Sequence, residues 1–139
     1  IDETVKSFES NEPSGQSLDQ LFYQFSQKIL EQKNRLKSEL QKYKGKVIAG
    51  YGASATSTTL ITHFEIGENL DFLVDDNPIK IGTYSPGIHL PVLSLNQLYD
   101  KKPDLIIIIA WRFSKLIFEK IKKLNSDIIL PLPEFKKLK

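Results

Sequence analysis

Residues 50–60 of the sequence, GYGASATSTTL, combine glycines with hydroxyl side chains in a pattern that could bind a phosphate group. The spacing Gly50-x-Gly52-x-x-Ala55 fits the G-x-G-x-x-G/A pattern of nucleotide-binding turns. Gly50 would allow a tight turn, Gly52 would let a ligand approach the backbone, and Ala55 would let a helix pack closely on a strand. The helix start would attract an anion, with Ser54 as a further donor. We favour ligand binding over a purely structural tight turn.

A second polar group, Asp75, Asp76 and Asn77, follows the apolar run that ends at residue 74. Asp75 lies 25 residues after Gly50, where dinucleotide-binding proteins place an acid on the ribose hydroxyls. The equal alternative is a turn whose side chains bond to their own backbone. Lys80 could neutralise a diphosphate or be a solvated surface lysine. Residues 46–52 contain no acid of the kind that methyl-donor sites usually carry, so we do not expect S-adenosylmethionine at this turn.

Three further side chains could contact a ligand, and each has a structural alternative. His89 lies in a rigid loop between Pro86-Gly87 and Pro91, where it could donate to a phosphate or a sugar hydroxyl, or bond to the backbone. Trp111 follows a strongly apolar run and could stack on a base or a sugar, or pack in the core. Tyr51 leaves the same two possibilities open.

Composition limits the classes of protein to which the chain could belong. With 139 residues, 40% hydrophobic and 26% charged, it fits one soluble globular domain. The net charge of +2 is too small to indicate a nucleic-acid partner, and the Lys-rich segments are expected to be solvated faces. The sequence has no cysteine and only two histidines, which argues against disulfides and a dedicated zinc or iron site. The apolar run 105–111 is too short for a membrane span, and no signal peptide is visible, so we predict a cytoplasmic protein.

The elements that would position these residues begin with a long helix, predicted over 18–43. Ser17 and Gln20 form a capping-box pattern before it, and Gly45 ends it. Apolar residues then recur at helical spacing: Leu18, Leu21, Phe22, Phe25, Ile29, Leu36 and Leu40.

After residue 45 the pattern alternates between short apolar strands and helices. The predicted strands cover 46–49, 70–74, 92–93, 104–110 and 127–130. The predicted helices between them are 53–64, a brief helix that Ser94 caps and that ends at Tyr99, and 113–124. Strands that are continuous apolar runs are typical of a parallel sheet covered on both faces. We therefore predict an α/β fold, a Rossmann-like parallel sheet with helices on both faces, preceded by the long helix.

The first residues of the sequence bear on whether it is part of a longer protein. The chain starts Ile1-Asp2-Glu3, contains no methionine and opens with a polar segment. We therefore expect a piece of a longer protein, with 1–16 as a flexible leader or linker from an upstream domain. Residues 17–139 would form the Rossmann-like domain, including the long helix.

Three ordered motifs of the sequence resemble the C-terminal domain of sugar-nucleotide C-methyltransferases. They are GYGASATSTTL, DDNPIKIGTYSPGIHLPV (75–92) and IIAWRF (108–113). The corresponding family patterns are G-Y-G-A-x-A-K-x-x-T-L, D-D-N-P-x-K-x-G-x-x-x-P-G-x-H-I-P and L-A-W-N-F. The resemblance covers about residues 45–132, and its strength comes from having all three motifs in order.

The resemblance implies a modular enzyme. Such proteins have an N-terminal zinc-binding region, a central domain that binds S-adenosylmethionine, and this C-terminal domain. They methylate a carbon of a deoxy-ketosugar attached to a nucleoside diphosphate. The base and the methyl-donor site would lie in the central domain, so this chain alone is not expected to be catalytic, and neither cofactor is expected on it. Its partners would be the nucleoside-diphosphate sugar and the upstream domain, without nucleic acid or membrane.

We predict a set of substrate-binding residues and no catalytic one. All of them are carried over position by position from the resemblance except Ser54, which is predicted from its hydroxyl group. The set is Gly50, Tyr51, Gly52, Ala53, Ser54, Asp75, Asp76, Asn77, Lys80, Pro86, Gly87, His89 and Trp111. Two departures from the family patterns bear on the expected contacts. Thr56 stands where the family has a lysine, which removes a phosphate partner, and Arg112 stands where it has an asparagine, which could restore positive charge at a neighbouring strand end. His63 replaces a residue that is usually aromatic, and we interpret it as structural.

Two other functions stay open on the sequence. The G-x-G-x-x-A spacing together with Asp75 would also suit an NAD-binding oxidoreductase module, although no hydride-transfer residue is obvious. The second open function is that of a non-catalytic module, which recognises a nucleotide sugar or mediates assembly.

Overall fold

The computed structural model describes residues 15–139. The predicted leader therefore lies almost wholly outside the described residues. The described residues divide into two compact units between Glu31 and Gln32. The predicted division into a leader and a domain stays a prediction.

The long helix is confirmed as α1 (Gln16–Leu40). It ends three residues earlier than predicted because the chain tightens into a 3₁₀ turn, Gln41–Tyr43, before Gly45 adopts a φ of +77°. In the first unit the apolar side chains of Leu21, Phe22 and Phe25 are exposed to solvent. In the second unit Leu36 and Leu40 are buried.

Six strands and three further helices follow α1, and their order confirms the α/β, Rossmann-like prediction. The elements are β1 (Ile48–Tyr51), α2 (Ala55–Phe64), β2 (Phe72–Val74), β3 (Val92–Leu93), α3 (Leu95–Lys101), β4 (Leu105–Ile108), α4 (Ser114–Ile121), β5 (Asp127–Leu130) and β6 (Lys136–Lys137). The strand order across the sheet is β3-β2-β1-β4-β5-β6. The first five strands pair in parallel, whereas β6 pairs antiparallel with β5.

The sheet is thus mixed and mostly parallel, and not wholly parallel as the sequence suggested. The sequence did not predict β6, because Lys136–Lys137 is short, exposed and lysine-rich and carries no apolar alternation. Lysines are common on edge strands, where their charge discourages pairing with another chain.

The strands are buried on both faces, which explains their continuous apolar runs. On one face Leu98 of α3 and Ile117 and Ile121 of α4 share a core cluster with alternate strand residues such as Tyr51 and Ile106. The intervening strand residues point to the opposite face and are also buried. Because β1 pairs in parallel with both β2 and β4, the carboxyl ends of these three strands lie at the same edge of the sheet.

Gly50 lies within β1, and its role there is packing. A Cβ at this position would lie 2.4 Å from Ile109 Cδ1 and 2.7 Å from Leu73 Cδ2. Neighbouring strands therefore fill the space that a side chain would need. The tight turn that the sequence assigned to Gly50 begins at Gly52.

Candidate functional site

A cavity of about 280 Å³ opens at the carboxyl ends of the central strands. It lies where the strand order reverses between β1 and β4, the position at which open α/β sheets bind ligands. Its lining residues are Tyr51, Gly52, Ser54, Asp75, Asp76, Lys80, Ala110, Phe113, Leu116, Ile117 and Lys120.

The glycine turn brings β1 close to the end of β4. Gly52 has a φ of +118°, which an L side chain rarely adopts, and a Cβ there would lie 2.6 Å from Ala110 Cβ. Its N–H donates to Val74 O at 2.7 Å, which fixes the turn to β2. Gly52 is therefore required by backbone conformation and by the approach of a neighbouring strand.

The amino end of α2 is capped from within the chain. Ser54 is the N-cap residue, and its Oγ accepts the Ser57 N–H at 3.2 Å. The Ser54 and Thr56 hydroxyl oxygens lie 2.8 Å apart on the exposed side of this turn. A capping serine of this kind stabilises a helix by about 0.5–2 kcal/mol relative to alanine.

Asp75 accepts three hydrogen bonds from residues around the turn. Its side chain is 14% exposed and accepts the Ala53 N–H at 2.8 Å, the Asn77 N–H at 2.9 Å and the Lys80 ammonium at 3.1 Å. Burial alone would raise the pKa of Asp75, but the two N–H donors and Lys80 outweigh it and hold the pKa below its ordinary value. Asp75 is therefore an anion at neutral pH.

Asp76 connects two other elements at the same rim. Its Oδ1 accepts the Tyr51 hydroxyl at 2.9 Å, and its Oδ2 lies 2.8 Å from Lys120 Nζ. Burial, with the neighbouring Asp76 and Asp75 carboxylates, raises the pKa of Tyr51 well above its ordinary value. Tyr51 therefore stays a protonated donor, and Asp76 links β1 to the last turn of α4.

The opposite wall of the cavity is apolar. Ala110, Phe113, Leu116 and Ile117 form it at and after the end of β4. Ile117 is buried in the core, whereas Phe113 is 62% and Leu116 is 66% exposed. Large apolar side chains this exposed at a cavity are typical of a surface that packs against a ligand or partner.

The structure brings part of the predicted site together. Six of the predicted residues line the cavity: Tyr51, Gly52, Ser54, Asp75, Asp76 and Lys80. Asp75 and Asn77 also form the self-bonded turn that was the alternative for this segment, because Asn77 Oδ1 accepts the Ile79 N–H at 3.0 Å. Ala53 contributes its N–H to Asp75.

The other predicted residues lie outside the cavity lining. His89 takes a left-handed φ of 55° in the loop, and its N–H donates to Ser85 O at 3.1 Å. Gly87 borders a separate depression beside Thr62. Trp111 is partly buried against the core cluster, with the Arg112 guanidinium 5.3 Å from its ring centroid. Pro86 belongs to the same loop as His89. Their substrate contacts stay predictions.

Sequence reasoning missed the contribution of α4. Phe113, Leu116, Ile117 and Lys120 all line the cavity, at the i, i+3, i+4 and i+7 positions of one helical face. That spacing, directly after the apolar strand β4, was a signal available in the sequence. From the sequence this spacing predicts only a helix over 113–124; in the structure Ile117 is buried, whereas Phe113 and Leu116 are exposed.

No group of three or more His, Cys, Asp or Glu side chains within residues 15–139 is placed to hold a metal ion. No helix in the same range is long and apolar enough to cross a membrane.

Comparisons with known proteins agree with the resemblance in the sequence. A family model described as the C-methyltransferase C-terminal domain matches residues 2–133. The C-methyltransferase NovU of Streptomyces niveus is 30% identical over 94 residues, which cover 65% of this chain and 22% of that protein. The chain thus matches about a fifth of that relative's length.

A solved structure of UDP-D-quinovosamine 4-dehydrogenase from Vibrio fischeri resembles the fold. The two share 14% sequence identity with a TM-score of 0.51, over 68% of this chain and 93% of that one. At this identity the likeness concerns the fold alone, and it supports the Rossmann-like architecture.

Proposed function

Because the chain belongs to the family of C-methyltransferase C-terminal domains, we propose that it is the substrate-binding domain of an S-adenosylmethionine-dependent C-methyltransferase. The substrate would be a deoxy-ketosugar linked to a nucleoside diphosphate. The observation that carries this proposal is the two-sided cavity at the carboxyl ends of β1, β2 and β4, with Asp–Lys pairs on one side and an apolar wall on the other.

The cavity's chemistry suits each part of such a ligand. Lysine ammonium groups bind phosphate oxygens, and Lys80 and Lys120 both line the cavity. An aromatic face packs against a base or a sugar ring, and Phe113 offers one that is 62% exposed. The Ser54 hydroxyl and the Asp76 carboxylate can hydrogen-bond to sugar hydroxyls.

The methyl transfer itself would occur next to this domain. A keto group acidifies the proton on the adjacent carbon, so a base can form an enolate that attacks the methyl group. We propose that the base, the methyl donor and any zinc belong to other domains of the same polypeptide. This domain would then hold the nucleotide sugar at the interface with the methyl-donor domain, in the cytoplasm.

Titration calorimetry of the chain with dTDP- and UDP-sugars tests the proposal. We expect heat of binding from at least one of the two ligand classes and none from NAD⁺. Binding of NADH, followed by its fluorescence, without binding of either sugar class would instead support the oxidoreductase module. Absence of nucleotide binding combined with concentration-dependent oligomerisation would support an assembly module.

The oxidoreductase alternative has one structural argument against it. Dinucleotide sites place the pyrophosphate on the free N–H groups at the start of the helix. Here the Ala53 N–H is bonded to the Asp75 carboxylate, and Asp75 itself faces the turn and the Lys80 ammonium. The residue that sequence spacing would assign to the ribose hydroxyls is thus already engaged.

A further inference from the structure

We infer that Lys120 of α4 binds the ligand's phosphate together with Lys80, so that the anion lies at this lysine pair and not on the amino end of α2. The inference rests on the proposed function and assigns its phosphate subsite. Lys120 belongs to none of the three sequence motifs, and only the fold brings it to the cavity.

The amino end of α2 is a poor anion site in this protein. The Gly52 N–H donates to Val74 O, the Ala53 N–H to Asp75, and the Ser57 N–H to Ser54 Oγ. The Asp75 carboxylate also places its negative charge against the Ala53 N–H, where it repels the negative charge of a phosphate. Three of the backbone donors that could bind a phosphate at this turn are therefore used within the chain, and the Asp75 charge disfavours an anion beside them.

The two lysines, in contrast, keep donors for a ligand. An ammonium group has three N–H donors. Lys80 directs one to Asp75 at 3.1 Å, and Lys120 directs one to Asp76 at 2.8 Å. Each can thus retain its aspartate and still donate to a phosphate oxygen.

The aspartates do not depend on the lysines alone. Asp75 also accepts two backbone N–H groups, and Asp76 also accepts the Tyr51 hydroxyl. A phosphate that draws the ammonium groups toward itself therefore leaves both carboxylates with hydrogen-bond donors. The aspartates act as positioning residues that hold the lysines at the rim before the ligand arrives.

The two lysines approach the cavity from different elements. Lys80 comes from the loop after β2, and Lys120 comes from the last turn of α4. Lys120 thereby supplies, from α4, a cation that the glycine turn lacks at Thr56. Two cations on separate elements suit a diphosphate, which presents oxygens in several directions.

The variant Lys120→Met tests the inference, with thymidine diphosphate and uridine diphosphate as ligands in calorimetry. Lys115→Met is the matched control, because Lys115 is exposed on the same helix and does not line the cavity. We expect Lys120→Met to weaken nucleoside-diphosphate binding by about tenfold or more, since hydrogen bonds to charged groups are among the strongest. Lys115→Met should change the affinity by less than about twofold.

NMR spectra of the labelled full chain locate the phosphate independently of the variants. On addition of thymidine diphosphate, the side-chain ammonium signals of Lys80 and Lys120 should shift more than the amide signals of Ser54, Ala55 and Thr56. The reverse pattern, or unchanged affinity in a folded Lys120→Met variant, would overturn the subsite while leaving the proposed function standing. A wild-type chain that binds neither nucleoside diphosphate would overturn both.

Discussion

The Asp75 carboxylate accepts the backbone N–H of Ala53 at 2.8 Å, so the end of β2 is bonded directly to the turn that leads from β1 into α2. A residue that sequence spacing would assign to a ligand's ribose is therefore a structural support of the glycine turn. The same carboxylate holds Lys80 at the cavity rim. The Asp75 side chain thus both stabilises the turn and positions a lysine charge at the cavity.

Replacing Asp75 should destabilise the folded chain. Asp75→Asn removes the negative charge to which two backbone N–H groups and the Lys80 ammonium donate. It also replaces one acceptor oxygen with an NH₂ group, which cannot accept from the donor that it faces. We expect the free energy of unfolding to fall by about 1–3 kcal/mol, measured by urea denaturation. Asp100→Asn, at an exposed position of α3, should change it by less than about 0.5 kcal/mol. Equal effects of the two variants would contradict the role of Asp75.

The contribution of Asp75 should also depend on pH in a defined direction. Its pKa in the folded chain lies below its ordinary value, so its stabilisation is complete above the pKa of the unfolded chain, about 3.9, and is lost as the pH falls through the folded value. The stability difference between wild type and Asp75→Asn should therefore stay nearly constant from about pH 7 to about pH 5 and shrink as the pH falls further. Urea denaturation at several pH values measures it. A difference that grew toward acid pH would have the wrong sign.

Because the turn after β1 lies close to the end of β4, alanine should reduce the stability of the chain more at Gly52 than at Gly82. Gly52→Ala and Gly82→Ala both introduce a side chain at positive φ, with φ values of +118° and +83°. At Gly52 the new Cβ would also lie 2.6 Å from Ala110 Cβ and 2.9 Å from its backbone N, whereas nothing lies within 4 Å at Gly82. We expect Gly52→Ala to be the more destabilising by about 1–3 kcal/mol. Similar urea midpoints for the two variants would refute the steric argument.

The exposed aromatic side chain of the cavity should matter for binding and little for folding. Phe113→Ala should lower the affinity for a nucleotide sugar by about tenfold, because stacking on a base contributes about 1–3 kcal/mol. Its urea midpoint should stay near that of the wild type, since Phe113 is 62% exposed. Tyr84→Ala is the control, with an aromatic ring that is 66% exposed and does not line the cavity. Calorimetry that showed the same affinity for both variants would exclude Phe113 from the site.

Local patterns predicted most of the secondary structure because strands buried on both faces must be apolar throughout. The strands Val92–Leu93 and Asp127–Leu130 have the predicted bounds. Errors occurred where local pattern carries little information. The predicted helix 53–64 begins later, at Ala55, because Ser54 caps it, and the lysine-rich β6 depends on pairing with β5.

The sequence by itself determined the fold class, the family and the group of residues at the glycine turn and the end of β2. These follow from the apolar periodicity and from the order of three motifs along the chain. Only the tertiary structure decided which side chains share the cavity. It showed that Lys120, 44 residues after Asp76, forms an ion pair with it, and that Trp111 packs on the core while Phe113 faces the cavity. The physical reason is that strand order and helix orientation set these contacts, and neither is encoded in the spacing of neighbouring residues.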